Sequence, residues 1–148
     1  MMEKVKFLVL CLITTLLISS CSSPAVVEKL GKCSNQQSLV VENHIGSQID
    51  ALAANNWQRA YSFAAASFQE SVSLEQFKQV INRQYLYLIF NEGFAFGDCK
   101  NTAQGINQIV VIDFQGRKRT LSYDLTLIAE RLGVVAATEI SVADEVAT

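Results

Sequence analysis

The apolar residues of this chain change period once, at Asn91-Glu92-Gly93, and that change dictates the class of fold. Before it they recur every three or four residues, the spacing of one helix face. After it they alternate in twos, the spacing of one strand face. Val41, Ile45, Ile49 and Leu52 draw a stripe along a helix predicted over residues 36–54, weakened slightly by Gly46. Asn55-Asn56 interrupts that helix. One of the two asparagines should cap a second helix with Trp57, Ala60, Tyr61 and Ala64 on one face. Ser73-Leu74-Glu75-Gln76 has the form of a capping box. Phe77, Val80, Ile81, Tyr85 and Leu88 continue a third helix from it, with Gly93 as the stop.

Beyond the change, a first strand is expected over residues 94–100 and carries Cys99. A second, over residues 106–114, centres on Ile109-Val110-Val111-Ile112, a strongly β-prone run. Gln115-Gly116 turns the chain. Leu121, Tyr123, Leu125, Leu127 and Ala129 then alternate with Thr120, Ser122, Asp124, Thr126 and Ile128, which describes a half-buried strand with one apolar face. Arg131-Leu132-Gly133 is read as the next turn, and residues 134–142 as the last strand. Helices followed by an antiparallel meander of about four strands make an α+β domain. The sheet must curl over the first helix to bury both apolar faces. The domain is expected over residues 36–143, with a tether over 21–35 and a tail over 144–148.

Residues 1–20 have the parts of an export signal. Lys4 and Lys6 supply positive charge, an apolar run follows, and small Ser19 and Ser20 close it. A retained membrane helix would need about 20 apolar residues, and this run is shorter. The sequence Leu17-Ile18-Ser19-Ser20-Cys21 resembles a bacterial lipobox. That resemblance implies cleavage before Cys21 and a diacylglycerol on its sulfur. The protein would then be exported and held by lipid on the bacterial cell membrane or outer membrane. Two buried acyl chains suffice for stable attachment.

From Cys21 onward the chain holds ten Lys plus Arg against thirteen Asp plus Glu. This mild acidity argues against nucleic acid as a partner. Its one basic cluster, Arg117-Lys118-Arg119, falls at a predicted turn and is read as a solvated hairpin tip. With Cys11 removed and Cys21 lipidated, Cys33 and Cys99 remain. An even remainder in an oxidising compartment points to a disulfide, the alternative being two free thiols. Two cysteines and the distant His44 do not make a metal-ligand cluster, and no cofactor motif is present.

The segment from Ile49 to Ala64, with Ala51-Leu52-Ala53-Ala54-Asn55-Asn56-Trp57 at its centre, resembles the phrase that joins the first two helices in the nuclear transport factor 2-like, or cystatin-like, superfamily. Ser67-Phe68 and Ser73-Leu74-Glu75-Gln76-Phe77 look like the next landmark. The resemblance spans roughly residues 40–142 and is closest to uncharacterised members. A Trp common on the last strand is replaced here by Val134-Val135. The resemblance implies a conical pocket between sheet and helices, able to take an apolar small molecule. Trp57, Tyr61, Tyr85 and Tyr123 are the candidates to line it, with Trp57 read first as a packing residue at the helix junction.

Enzymes of that superfamily use a pocket Asp or an Asp-His pair, often beside a Tyr. Here Asp124 alternates with apolar residues and should face solvent, Asp113 sits at a strand end, and His44 lies off the helix stripe as a surface residue. The expected function is therefore non-catalytic binding of a small ligand or an envelope protein. A homodimer formed through the sheet face, and an enzyme using a pocket carboxylate, are the alternatives. Replacing Cys21 by Ser should block maturation or release the protein from membranes. Membrane fractionation checks this, and unchanged retention at mature size would end the lipoprotein reading.

Overall fold

A computed structural model of the chain describes residues 30–140. The leader, Cys21 and the tail lie outside them. The order of elements is β1 (Gly31–Lys32), α1 (Asn35–Ala53), α2 (Trp57–Ser62), α3 (Ala66–Ser71), α4 (Leu74–Gln84), α5 (Leu86–Ile89), β2 (Gly93–Thr102), β3 (Gly105–Phe114), β4 (Arg117–Ile128) and β5 (Arg131–Ile140). Five helices thus precede the four long strands, in an α+β arrangement. The strands form one antiparallel sheet in sequence order, β1-β2-β3-β4-β5. No described helix is long and apolar enough to cross a membrane.

Each start and stop has a local cause. The Ser34 side chain caps α1 by accepting from the Gln37 amide at 3.2 Å. The two asparagines after α1 divide the work. Asn55 takes the left-handed conformation (φ 54°) that ends one helix, and Asn56 caps α2 by accepting from the Arg59 amide at 3.2 Å. The capping box of α4 is complete, with Ser73 Oγ accepting from the Gln76 amide and Gln76 Oε1 accepting from the Ser73 amide.

The α1 stripe is buried as its spacing predicts. Val41, Ile45, Ile49 and Leu52 are all 1 % exposed or less. Each such aliphatic chain contributes about 1.5–3 kcal/mol relative to exposure. The facing layer comes from Ile106, Val110 and Ile112 of β3 and Leu121, Tyr123 and Leu125 of β4. Two bulges bend the sheet around the helix. One lies between Phe96 and Cys99 in β2, the other opposite Asp124 and Leu125, where β5 carries Val135 as the extra residue.

Five sequence expectations are corrected. The segment read as tether ends earlier, because Gly31–Lys32 pairs with β2 as a short edge strand and raises the strand count to five. The second helix stops at Ser62, and Ala64 leaves its face to form a parallel bridge with Val134. Residues Ala66–Ser71 form a further helix that lacked a readable apolar period. The third helix breaks at Tyr85 (φ −129°, ψ 34°), where the Tyr85 hydroxyl donates to Ala137 O at 2.8 Å and draws the chain toward the sheet. The last turn lies at Ala129 and Glu130, both with positive φ, and not at Arg131-Leu132-Gly133.

Gly133 serves another purpose. A Cβ there would fall 2.5 Å from Ala65 Cα, so the missing side chain admits the 64–65 backbone against β5. Ala65 N–H donates to Val134 O at 2.8 Å and Val134 N–H to Phe63 O at 3.0 Å.

Cys33 and Cys99 form a disulfide, with Cα atoms 5.4 Å apart and a sequence separation of 66. Cys33 N–H also donates to Cys99 O at 3.0 Å, and Gln37 and Asn101 exchange side-chain amide bonds at 2.7 and 3.0 Å. Three kinds of link therefore fix the start of α1 to β2. Closing a loop of this length stabilises by about 4 kcal/mol in the chain-entropy model. The double variant Cys33→Ala/Cys99→Ala should lose about 2–4 kcal/mol in urea unfolding. Reductant should lower the wild-type midpoint and leave that of the variant in place.

Candidate functional site

The helices do not cover the sheet completely. Between α1, α3, α4 and the β4–β5 pair lies a cavity of about 240 Å³. Its inner wall is Leu52 of α1, Leu88 of α5 and Tyr123 of β4, each 2 % exposed or less. Phe77 and Ile81 of α4 and Phe68 of α3 form a second wall, with Val80 exposed to solvent beside them. The last wall is β5, from Val134 to Ala137, with Ala64 next to it. Small residues on this side leave the space open. The lining is aliphatic and aromatic apart from Gln48 and the two phenols Tyr85 and Tyr123.

Of the four residues expected to line a pocket, Tyr85 and Tyr123 do so. Trp57 is half-buried and packs against the core at the start of α2. Tyr61 turns away from the cavity. Its hydroxyl donates to Val72 O at 2.6 Å, with Gln69 O at 3.2 Å, which locks α3 beneath α2. Gln48 is a polar lining residue that the sequence reading missed. It lies three residues after Ile45 and four before Leu52, so it is a polar residue on the apolar stripe. Its Nε2 donates to Ala60 O at 3.2 Å, and the residue is 4 % exposed.

The titratable candidates sit elsewhere. Asp124 is exposed on the outer face of the sheet and accepts from Asn107 Nδ2 at 2.7 Å. Asp113 is a strand-end residue paired with Lys118 Nζ at 2.7 Å. His44 is half-buried and not free on the helix surface. Its Nε2 lies 2.9 Å from Phe63 O, and its ring meets the Phe63 ring edge-on. The basic cluster is also not wholly a solvated tip. Arg119 turns inward, pairs with Glu139 at 2.7 Å, and places its guanidinium 5.1 Å from the centre of the Tyr87 ring. Among the described residues no cluster of three His, Cys, Asp or Glu is arranged to hold a metal.

Tyr85, Tyr87 and Tyr123 gather at this end of the sheet. Burial pushes the Tyr123 hydroxyl well above the ordinary tyrosine range, and the neighbouring phenols Tyr87 and Tyr85 push the same way. Tyr87 is raised chiefly by burial, then by the Glu139 carboxylate, toward which its hydroxyl donates at 3.4 Å. Both phenols are therefore protonated in the fold. An unfolded tyrosine ionises near pH 10. Stability from these two groups is fully present below that pH and is lost as pH rises above it. The unfolding free energy should be flat from pH 7 to 9 and fall above 10. In Tyr123→Phe that fall should be shallower, as measured by urea titration at each pH.

Searches among the curated proteins and among the solved structures gave no match. A family model described as a domain of unknown function, DUF4864, matches residues 34–140, from the Ser34 cap of α1 to the last residue of β5, and the chain belongs to that family.

Proposed function

We propose that this is an exported, lipid-anchored binding domain that takes a small apolar ligand into the cavity between its helices and sheet, without turning it over. We assign the domain to the nuclear transport factor 2-like architecture, in which such a cavity is the usual binding place. The observation that carries the reading is the cavity itself. A hole of about 240 Å³, walled by aliphatic and aromatic side chains and reached beside Val80, is what an apolar guest requires. It lies just under the roughly 300–1,000 Å³ of drug-sized sites, which favours a compact guest or a short chain.

The arrangement of charge supports binding over catalysis. A general base needs burial and hydrogen-bond reach of its substrate. Asp113 and Asp124 are engaged outside the cavity, and His44 is held against Phe63 O. Lipid on Cys21 would keep the domain at a membrane, where apolar molecules are concentrated.

The test uses the mature protein and the fluorophore N-phenyl-1-naphthylamine. Wild type should bind it with a blue-shifted rise in emission. Ala137→Leu, which puts three more carbons into the cavity, should weaken binding tenfold or more at unchanged circular dichroism. No emission change with wild type would remove the reading.

A further inference from the structure

Three phenols meet at the β4–β5 end of the cavity, and two of them are engaged. Tyr85 donates to Ala137 O at 2.8 Å, and Tyr87 donates toward Glu139 at 3.4 Å. Tyr123 is 1 % exposed, lines the cavity, and its hydroxyl has no hydrogen-bond partner among the described residues. That hydroxyl would gain a hydrogen bond from an acceptor on a guest inside this apolar cavity. Its elevated pKa keeps the proton in place, so it stands ready as a donor. Gln48 faces the same space. With its Nε2 on Ala60 O, its Oε1 has no partner among the described residues and offers an acceptor.

Charge on the guest is disfavoured from both sides. No Lys, Arg, His, Asp or Glu lines the cavity, and Arg119, which pairs with Glu139 at 2.7 Å, stands outside that lining. An anion would lose its hydration without a countercharge. A cation would bring no acceptor to the phenol. We propose that the cavity takes an uncharged apolar molecule with one oxygen acceptor, a carbonyl or an alcohol, that receives the Tyr123 hydroxyl as donor. This rests on the cavity being a binding site and adds the chemical class of its guest.

The experiment compares mature wild type with Tyr123→Phe, which keeps the ring and removes only the donor. The competitors, displacing N-phenyl-1-naphthylamine, are valerophenone, its hydrocarbon counterpart pentylbenzene, and the anion 5-phenylpentanoate. A neutral hydrogen bond corresponds to roughly a two- to tenfold change in affinity. Valerophenone should therefore bind the variant about three- to tenfold more weakly, while pentylbenzene binds both forms alike. The anion should bind wild type at least tenfold more weakly than the ketone. In wild type the bound carbonyl stretch should lie below its value in hexane, a readout that needs no variant. An equal response of ketone and hydrocarbon, a hexane-like carbonyl stretch, or tight binding of the anion would each overturn the proposal while leaving the cavity reading intact. Failure of all probes, the fluorophore included, would overturn both.

Discussion

The contact on which the rest of the structure depends is the burial of the α1 stripe inside a bent sheet. Val41, Ile45, Ile49 and Leu52 are covered almost completely, and no flat four-stranded meander could cover them from more than one side. The bulges in β2 and β5 supply the bend. In the first, Gln108 is wholly buried on the inner face and donates through Nε2 to Gly97 O at 3.0 Å and Ile109 O at 2.9 Å. A polar side chain thus satisfies a carbonyl that the extra residue removes from the ladder. The curvature of the sheet, and with it the cover over α1, is held by hydrogen bonds that a regular strand would not need.

The cavity follows from how the remaining helices are cut short. A continuous third helix would run past the sheet as a rod. The break at Tyr85 instead swings Leu86–Ile89 inward, where Tyr87, Leu88 and Ile89 are buried. On the other side, the close approach of Ala65 to Gly133 pins the chain to β5 with two backbone hydrogen bonds. Between these two attachments the lining is Ala64, Ala136 and Ala137, too small to fill the gap left by Phe68 and Phe77. The packed half of the domain, around Ile45 and Ile49, and the open half, around Tyr123, are thus products of side-chain size at a few positions.

The features legible in the sequence were those governed by local chemistry or strict period. The α1 stripe, the Ser73 capping box, the Gln115-Gly116 turn and the β4 alternation from Leu121 to Leu125 appear where the residues put them; beyond Leu125 the pattern fails, with Leu127 exposed and Ala129 in the turn. The disulfide followed from cysteine arithmetic. What was not legible depended on contacts distant in sequence. Gly133 looked like a turn residue because a turn and a close approach both select glycine, and only Ala65, 68 positions earlier, decides between them. Ala129 and Glu130 carry no turn signal, yet adopt φ of 48° and 62° because the strands on either side require it. Trp57 and Tyr61 were reasonable pocket candidates by residue type. The helix that ends at Ser62 aims them at the core and at Val72 instead. Gln48 could have been found from spacing alone, as the polar exception on an apolar face.

The two edges of the sheet differ in what they carry. The N-terminal segment joins at β1, on the edge where Cys33, Cys99, Gln37 and Asn101 bind the chain to β2. The cavity belongs to the opposite edge, β4 and β5. A lipid on Cys21 would be followed by nine residues to Leu30, a reach of at most about 30 Å. Pull transmitted along that segment would fall on the disulfide-bonded edge, three strands away from Tyr123. The cavity lies where the helices are short, the side chains small and the packing open.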